Sequence, residues 1–223
     1  MRTELVYRFC FIIAAALCAM ASATAEVPIQ GTVKGNTLSS SDFPIGSVTF
    51  NEKFKYVGTT AFVLYGVANC EIHVYAEIEG KQVQRYYWVQ FEGFLPSKPS
   101  SSYNYSKDPQ RTMIGGHAFH ERSWFSNVEE ARKKMRPGSD SEAVLKLFDE
   151  KGLSVGPDVM AMRLVRLSED KRKELMIIYS ENLAPHGVKA ADFLEGGSAV
   201  AKRDALIDGL RQHAIDGVKM EMR

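Results

Sequence analysis

The chain contains the run Leu175-Met176-Ile177-Ile178-Tyr179, five apolar or aromatic positions in succession. A strand with one face in water alternates apolar and polar residues, because successive side chains point to opposite faces. A run without alternation is typical of a central strand covered on both faces. This run lies in the second arm of a predicted hairpin, residues 159–167 and 174–181, with its turn at 169–171. We therefore expect a sheet whose centre is buried on both sides.

Further strands and helices are predicted around this hairpin. Segments rich in Val, Phe, Tyr and Thr predict strands over residues 47–50, 53–65, 70–79, 83–91 and 112–119. Ser126 and Ser139 each precede a glutamate by three positions, a spacing that predicts the start of a helix. The second helix is expected to bury Val144, Leu147 and Phe148. A last helix with an apolar stripe is predicted over residues 198–218.

This order of elements predicts an α+β protein with one antiparallel sheet of about six to seven strands. Two central helices and a C-terminal helix are expected to pack on the sheet. Residues 46–220 are predicted to form this single domain. Residues 26–45, rich in Ser, Thr, Gly and Pro, are predicted to form a flexible lead-in.

Residues 1–25 have the three parts of a secretory signal peptide. Arg2 and Arg8 lie at the basic start, an apolar run covers residues 9–20, and Ala23-Thr24-Ala25 resembles a cleavage site. The run of twelve residues is shorter than the roughly 20 that a membrane-spanning helix needs. We expect cleavage after residue 25 and a periplasmic or secreted mature chain without a transmembrane segment. An uncleaved N-terminal anchor is the alternative.

The expected mature chain is electrically balanced. Residues 1–25 carry two of the 28 basic and one of the 27 acidic residues, which leaves 26 of each. A formal net charge of zero gives no electrostatic argument for nucleic acid as a partner. The same removal takes two of the three cysteines, so Cys70 has no internal disulfide partner. The stability of this exported chain must then come from packing.

The hairpin of residues 70–79 and 83–91 allows a prediction of which side chains share a face. A two-residue turn at Gly80 and Lys81 pairs Ile78 with Val83 and gives one mainly apolar face. A slip of one residue would mix the faces, so the pattern itself favours this register. The other face combines aromatic and hydrogen-bonding side chains, namely Glu71, His73, Tyr75, Tyr86, Trp88 and Gln90.

These six side chains are the predicted ligand-binding site. Small-molecule sites commonly combine aromatic walls with a few placed polar groups. The alternative is an ordinary sheet face, since aromatic cross-strand pairs stabilise strands by roughly 0.2–1 kcal/mol each. A helix that covers this face and satisfies its polar atoms is a further alternative. The Ser- and Tyr-rich segment 100–106 is either a lid over a pocket or a solvated connection.

Catalytic and metal motifs are weak in this sequence. His117, His120 and Glu121 are the candidate metal ligands, but histidines three apart share a face only on a helix. Ser154 lies in a G-x-S-x-G pattern that follows a predicted helix, whereas a nucleophile elbow follows a strand. Cys70 is predicted to be a buried core thiol. No phosphate-cradling loop or dinucleotide fingerprint occurs, and no cofactor is predicted.

The sequence favours an exported, non-catalytic protein that binds a small or amphipathic ligand on the polar-aromatic sheet face. One alternative is a periplasmic metal-dependent hydrolase centred on His117, His120 and Glu121. A second alternative is an envelope module whose aromatic face binds a protein partner. The pattern of residues does not decide whether the protein catalyses a reaction.

Overall fold

The computed structural model describes residues 27–223, so the predicted signal peptide lies outside the described residues. In chain order the strands are β1 (Gly31–Lys34), β2 (Thr37–Ser40), β3 (Gly46–Phe50), β4 (Lys55–Leu64), β5 (Ala68–Glu79), β6 (Gln82–Phe94), β7 (Arg111–Ile114), β8 (His117–Asn127), β9 (Ser154–Val155), β10 (Asp158–Leu167), β11 (Lys173–Asn182) and β12 (Val218–Met222). The helices are α1 (Val128–Lys134), α2 (Asp140–Glu150) and α3 (Arg203–Asp216), with short 3₁₀ helices at Ala184–His186, Ala190–Phe193 and Val200–Lys202.

The strands form two sheets rather than the single sheet predicted. The large sheet has the order β4-β5-β6-β11-β10-β8-β7, and all neighbours along this path are antiparallel. The two-residue strand β9 joins it by pairing with β6 in parallel. The small sheet has the order β1-β2-β3-β12. The predicted antiparallel α+β class is therefore confirmed, although twelve described strands replace the expected six to seven.

Strand β11 lies at the centre of the large sheet, between β6 and β10. Every residue of its 175–179 run is at most 8% exposed. Leu175, Ile177 and Tyr179 belong to one hydrophobic core, and Met176 and Ile178 belong to the other. The prediction of a strand covered on both faces is confirmed.

Different elements cover the two faces of the large sheet. The small sheet and α3 close one core, to which Phe50 and Leu210 contribute. Helix α2 closes the other core with Val144, Leu147 and Phe148, as the sequence predicted. We call these the small-sheet face and the α2 face. The large sheet is thus the middle layer of three.

Several elements differ from their predictions. The segment 26–45 is not a flexible lead-in throughout, because it contains β1 and β2. The predicted strand 112–119 is the start of the hairpin β7–β8, which turns at Gly115 and Gly116, both with positive φ. Helix α1 is capped by Asn127 instead of Ser126, and α3 ends at Asp216, followed by β12. No helix among residues 27–223 is long and apolar enough to cross a membrane.

The small sheet is fastened to the large sheet by a buried carboxylate. The backbone N–H groups of Gln30 and Gly31 donate to Glu71 at 2.7 and 2.9 Å, and His73 Nε2 lies 2.6 Å from Glu71 Oε1. Glu71 and His73 are each 2% exposed. Burial opposes ionisation, but the hydrogen bonds from His73 and the backbone outweigh it and hold the pKa of Glu71 below its usual value.

Gly31→Ala should destabilise the fold. A Cβ at residue 31 would overlap the His73 imidazole and the Glu71 carboxylate, which are held between the sheets. We expect the free energy of unfolding to fall by about 1–3 kcal/mol, measured by urea denaturation.

Gly209→Ala is the matched control, since its Cβ would meet no atom within 4 Å in the middle of α3. It should stabilise the protein by roughly 0.5–1 kcal/mol because glycine weakens helix interiors. Equal effects of the two substitutions would contradict the fastening role of the Gly31 contact.

Candidate functional site

A β-bulge changes the predicted register of the β5–β6 hairpin. Ile78 pairs with Val83, as the two-residue turn at Gly80 and Lys81 requires. The next pair, however, is Glu77 with Arg85, so one residue of β6, Gln84, is left without a partner on β5. From this point onward every pair is shifted by one residue from its predicted partner.

The shift divides the predicted binding patch between the two faces of the sheet. Tyr75 pairs with Tyr87, and His73 pairs with Val89 instead of Trp88. Side chains that face each other on paired strands share a face. Glu71, His73 and Tyr75 accordingly lie on the small-sheet face, whereas Tyr86, Trp88 and Gln90 lie on the α2 face. The six residues do not form one site.

The three residues on the small-sheet face are part of the packing between the sheets. Tyr75 is fully buried and stacks on Phe50 with a centroid distance of 3.9 Å. Glu71 and His73 hold β1, as described above. This half of the predicted patch therefore has a structural role in the packing between the two sheets.

Tyr86 and Trp88 line an apolar pocket on the α2 face. The pocket has a volume of about 130 Å³, and Trp124 of β8 and Ala131 of α1 form further walls. Eight other apolar side chains complete its lining: Val128, Met135, Val144, Leu145, Val155, Val159, Ala161 and Ile178. Two hydroxyl residues, Ser126 and Ser141, also border it. We call this space the tryptophan pocket.

The aromatic walls of the tryptophan pocket are fixed by their neighbours. Trp88 Nε1 donates to Gln90 Oε1 at 2.9 Å, and Gln90 Nε2 donates to Glu92 Oε2 at 2.6 Å. Tyr86 contacts Phe148 edge to face at 5.3 Å. Because the indole N–H is already satisfied, Trp88 offers an apolar ring surface held in one orientation.

The hydrogen-bond chain from Trp88 ends in two adjacent carboxyl groups, of which Glu174 is buried and Glu92 is half-buried. Glu92 of β6 and Glu174 of β11 are direct cross-strand partners. The segment predicted as a lid or a solvated connection packs over them, where Tyr103 donates to Glu92 at 2.7 Å and Tyr105 donates to Glu174 at 2.8 Å. Two tyrosine hydroxyls therefore cap two adjacent carboxyl groups.

Burial and mutual repulsion keep this pair from ionising fully. Burial, together with the nearby Glu92, raises the pKa of Glu174 to about 8, although Tyr105 and Arg163 oppose the shift. Burial also raises the pKa of Glu92. Glu174 is therefore a neutral acid near pH 7, and this protonation allows two glutamates to lie opposite each other.

The three candidate metal ligands do not converge. Glu121 faces α3, where Arg211 donates to it through Nε at 2.9 Å and Nη2 at 2.7 Å, and it also accepts from Thr112. His120 is on the opposite face of β8, with its ring 5.7 Å from that of Tyr105. Within residues 27–223, no group of three or more His, Cys, Asp or Glu side chains is arranged to hold a metal ion.

The two candidate nucleophiles are not activated. Cys70 is fully buried in the core on the α2 face, and burial raises the pKa of its thiol far above the usual value. Ser154 is exposed in β9, with its hydroxyl 3.5 Å from the backbone carbonyl of Lys81. A thiolate is the reactive form of cysteine, and a serine nucleophile needs a base, so neither geometry favours covalent catalysis.

Comparison with known proteins gives no relative from which a function could be transferred. No protein-family model matches the chain, and neither does any curated protein or any solved structure. The function has to be argued from the geometry of this chain.

The sequence alone did not indicate Trp124 or Ala131 as pocket residues. Trp124 lies between the predicted strand 112–119 and the predicted helix start at Ser126, in a segment without an assigned element. The aromatic pair Trp124-Phe125 is typical of a strand, and this feature of the sequence could have extended the predicted strand to Trp124. Ala131 of α1 carried no signal, because alanine occurs on any helix surface.

The raised pKa of the buried Glu174 predicts a pH-dependent stability that Glu174→Gln should change. Between the ordinary glutamate pKa of 4.5 and the folded pKa of about 8, the folded chain binds one more proton than the unfolded chain. The free energy of unfolding should therefore fall as pH rises through this range, with a slope of up to about 1.4 kcal/mol per pH unit from this group. Glu174→Gln removes the titrating group and should flatten the fall, as measured by urea denaturation at several pH values.

Glu195→Gln provides the control, because Glu195 is exposed and lies outside the network. Its stability curve should stay parallel to that of the unsubstituted protein. If Glu174→Gln gave the same pH dependence as the control, the raised pKa would be wrong.

Proposed function

We propose that this chain is an exported, non-catalytic protein that binds the apolar part of a small or amphipathic molecule in the tryptophan pocket. One observation carries the proposal. The chain has only two tryptophans, and Trp88 of β6 and Trp124 of β8 line the same pocket together with Tyr86. Export, to the periplasm or out of the cell, rests on the signal-like residues 1–25.

The shape of the pocket supports a small apolar group as the occupant. Protein interiors leave few voids larger than a water molecule. An apolar cavity of about 150 Å³ is known to take up benzene, so the space of about 130 Å³ suits one small ring or the end of an alkyl chain. Apolar walls with a few polar groups at their edge are the usual composition of small-molecule sites.

The polar groups near the pocket favour an amphipathic ligand over a purely apolar one. Ser126 and Ser141 border the apolar walls, and both are partly exposed. A hydroxyl can donate to or accept from a polar head group. We therefore place the apolar end of the ligand against the tryptophans and its polar end near these serines.

The two alternative functions predicted from the sequence have different support. A metal-dependent hydrolase gains none from His120 and Glu121, since these side chains lie on opposite faces of β8. An envelope module that binds a protein partner stays a prediction. That prediction was based on one polar-aromatic sheet face, and the six residues of that face are divided between the two faces of the large sheet.

Ala131→Leu tests the proposal, because a larger side chain on α1 would fill the pocket. Residues 26–223 are titrated with sodium octanoate, and binding is followed by tryptophan emission and by calorimetry. Both tryptophans of the chain line the pocket, so binding of octanoate there should change most of the tryptophan fluorescence. We expect saturable binding that Ala131→Leu weakens at least tenfold, which corresponds to about 1.4 kcal/mol.

The matched control is Ala205→Leu, the same substitution at an exposed position of α3. It should leave the octanoate affinity within twofold of the unsubstituted protein. Binding that does not saturate, or that both substitutions weaken equally, would contradict the proposed pocket.

A further inference from the structure

A second cleft lies where strands β8 and β10 separate. The two strands pair from Asn127 with Asp158 as far as His120 with Val165. Beyond this pair β8 continues to His117 beside β7, whereas β10 continues to Leu167 beside β11. Beyond this point β8 pairs only with β7, and β10 pairs only with β11. The fork between them opens a cleft of about 510 Å³, which we call the fork cleft.

The fork cleft is strongly basic. Arg111 of β7, Arg166 of β10 and Lys171 of the β10–β11 turn line it, together with His117 and His120. One carboxylate, Glu169, is present among the lining residues. The lining residues therefore carry a net charge of +2 with neutral histidines, whereas the expected mature chain as a whole has a formal net charge of zero.

The positive charges of the cleft are not neutralised by the protein. Within residues 27–223, none of Arg111, Arg166 and Lys171 forms a salt bridge. Arg111 uses Nη1 to donate to the backbone carbonyls of Asp108 at 2.6 Å and Gln110 at 2.8 Å, which fixes its guanidinium at the edge of the cleft. Gathered cations without partners repel one another, so an anion between them would be stabilising.

Two buried polar atoms of the cleft residues have no partner. Among the described residues, Arg166 Nη1 and His120 Nδ1 are buried and make no hydrogen bond. A buried donor without a partner costs about 1–3 kcal/mol, and more when it is charged. Buried polar groups are normally satisfied, and Arg166 Nη1 is a donor, so this atom points to a ligand that accepts hydrogen bonds. His120 lies on the opposite face of the sheet, beside Arg111, and its Nδ1 donates in only one of the two neutral tautomers.

From these observations we infer that the fork cleft binds a phosphate group, either as free phosphate or as a small phosphate ester. A phosphate carries up to two negative charges and three or four acceptor oxygens that point in different directions. The donors of the fork cleft likewise come from separate elements, namely β7, β8, β10 and the turn after β10. A carboxylate, with one charge and two oxygens in a plane, would leave most of these donors unused.

Arginine and lysine have different tasks in such a site. The planar guanidinium of Arg166 can donate two parallel hydrogen bonds to phosphate oxygens, whereas the ammonium of Lys171 acts as a compact charge. Lys171 adopts φ 57°, a left-handed conformation that is uncommon for a residue with a side chain. The turn therefore holds Lys171 beside the cleft in a backbone conformation that asparagine and glycine adopt more readily.

The phosphate site is separate from the tryptophan pocket. The pocket lies against Val159 and Ala161 at the start of β10, and the cleft lies at Arg166 and beyond at its end. The two sites have no lining residue in common. The phosphate inference thus does not depend on the proposed apolar ligand, and Ala131→Leu should leave phosphate binding unchanged.

Calorimetric titration of residues 26–223 at constant ionic strength tests the inference. The probes are inorganic phosphate, phenyl phosphate and acetate. We expect saturable phosphate binding, and Arg166→Gln should weaken it at least tenfold. Lys171→Asn, which suits the left-handed backbone and removes the charge, should weaken it severalfold. This second variant keeps the test valid if Arg166→Gln fails to fold.

Arg136→Gln is the matched control, because it makes the same change in charge at an exposed residue that lies over Tyr65, outside the cleft. Its phosphate affinity should stay within twofold of the unsubstituted protein. Tighter binding of phenyl phosphate than of inorganic phosphate would assign an ester as the ligand, and the reverse would assign free phosphate. Acetate binding of equal strength, no saturable heat with either phosphate probe, or equal loss in Arg136→Gln would overturn the inference.

Discussion

The central strands of the large sheet are buried on both faces, and the other layers of the molecule follow from this constraint. Apolar side chains of β11 point alternately into two separate cores. Each core must be closed, because apolar surface left in water costs about 25 cal/mol per Å². The small sheet with α3 closes one core and α2 closes the other. The strands of the small sheet come from both ends of the described chain, and their apolar side chains form part of this hydrophobic core.

A single extra residue in β6 determines which side chains of β5 and β6 lie on the same face of the large sheet. The bulge at Gln84 moves β6 by one position relative to β5, and the side-chain period of a strand is two. Trp88 and Gln90 consequently face α2 rather than the small sheet. The same shift brings Glu92 onto the α2 face beside Glu174, where burial and repulsion keep one of the two protonated. This local irregularity thereby positions both the aromatic walls of the tryptophan pocket and the acidic pair that is linked to Trp88 through Gln90.

The two candidate sites lie at places where regular strand pairing is modified or ends. The tryptophan pocket depends on the bulge, which puts Tyr86 and Trp88 under α1 and α2. The fork cleft depends on the end of the β8–β10 pairing at His120 and Val165, which leaves space for basic side chains from three strands and a turn. His117 and His120, first considered as metal ligands, lie in a cleft whose surroundings are cationic. Cationic surroundings disfavour a metal ion and favour an anion.

The sequence by itself determined the antiparallel α+β class, the two-sided burial of residues 175–179, and the α2 stripe of Val144, Leu147 and Phe148. These features depend on local periodicity and on capping, which neighbouring residues fix without reference to the rest of the chain. Only the tertiary structure decided that there are two sheets, because β1, β2 and β12 are short, weakly patterned segments, and β12 pairs with β3 from the other end of the described chain. It also decided the register of β6, since one unpaired residue leaves the pattern of apolar positions almost unchanged yet reverses the face on which each side chain lies. The fork cleft was likewise hidden from the sequence, because Arg111, Arg166 and Lys171 are brought together by strand order and have no common motif.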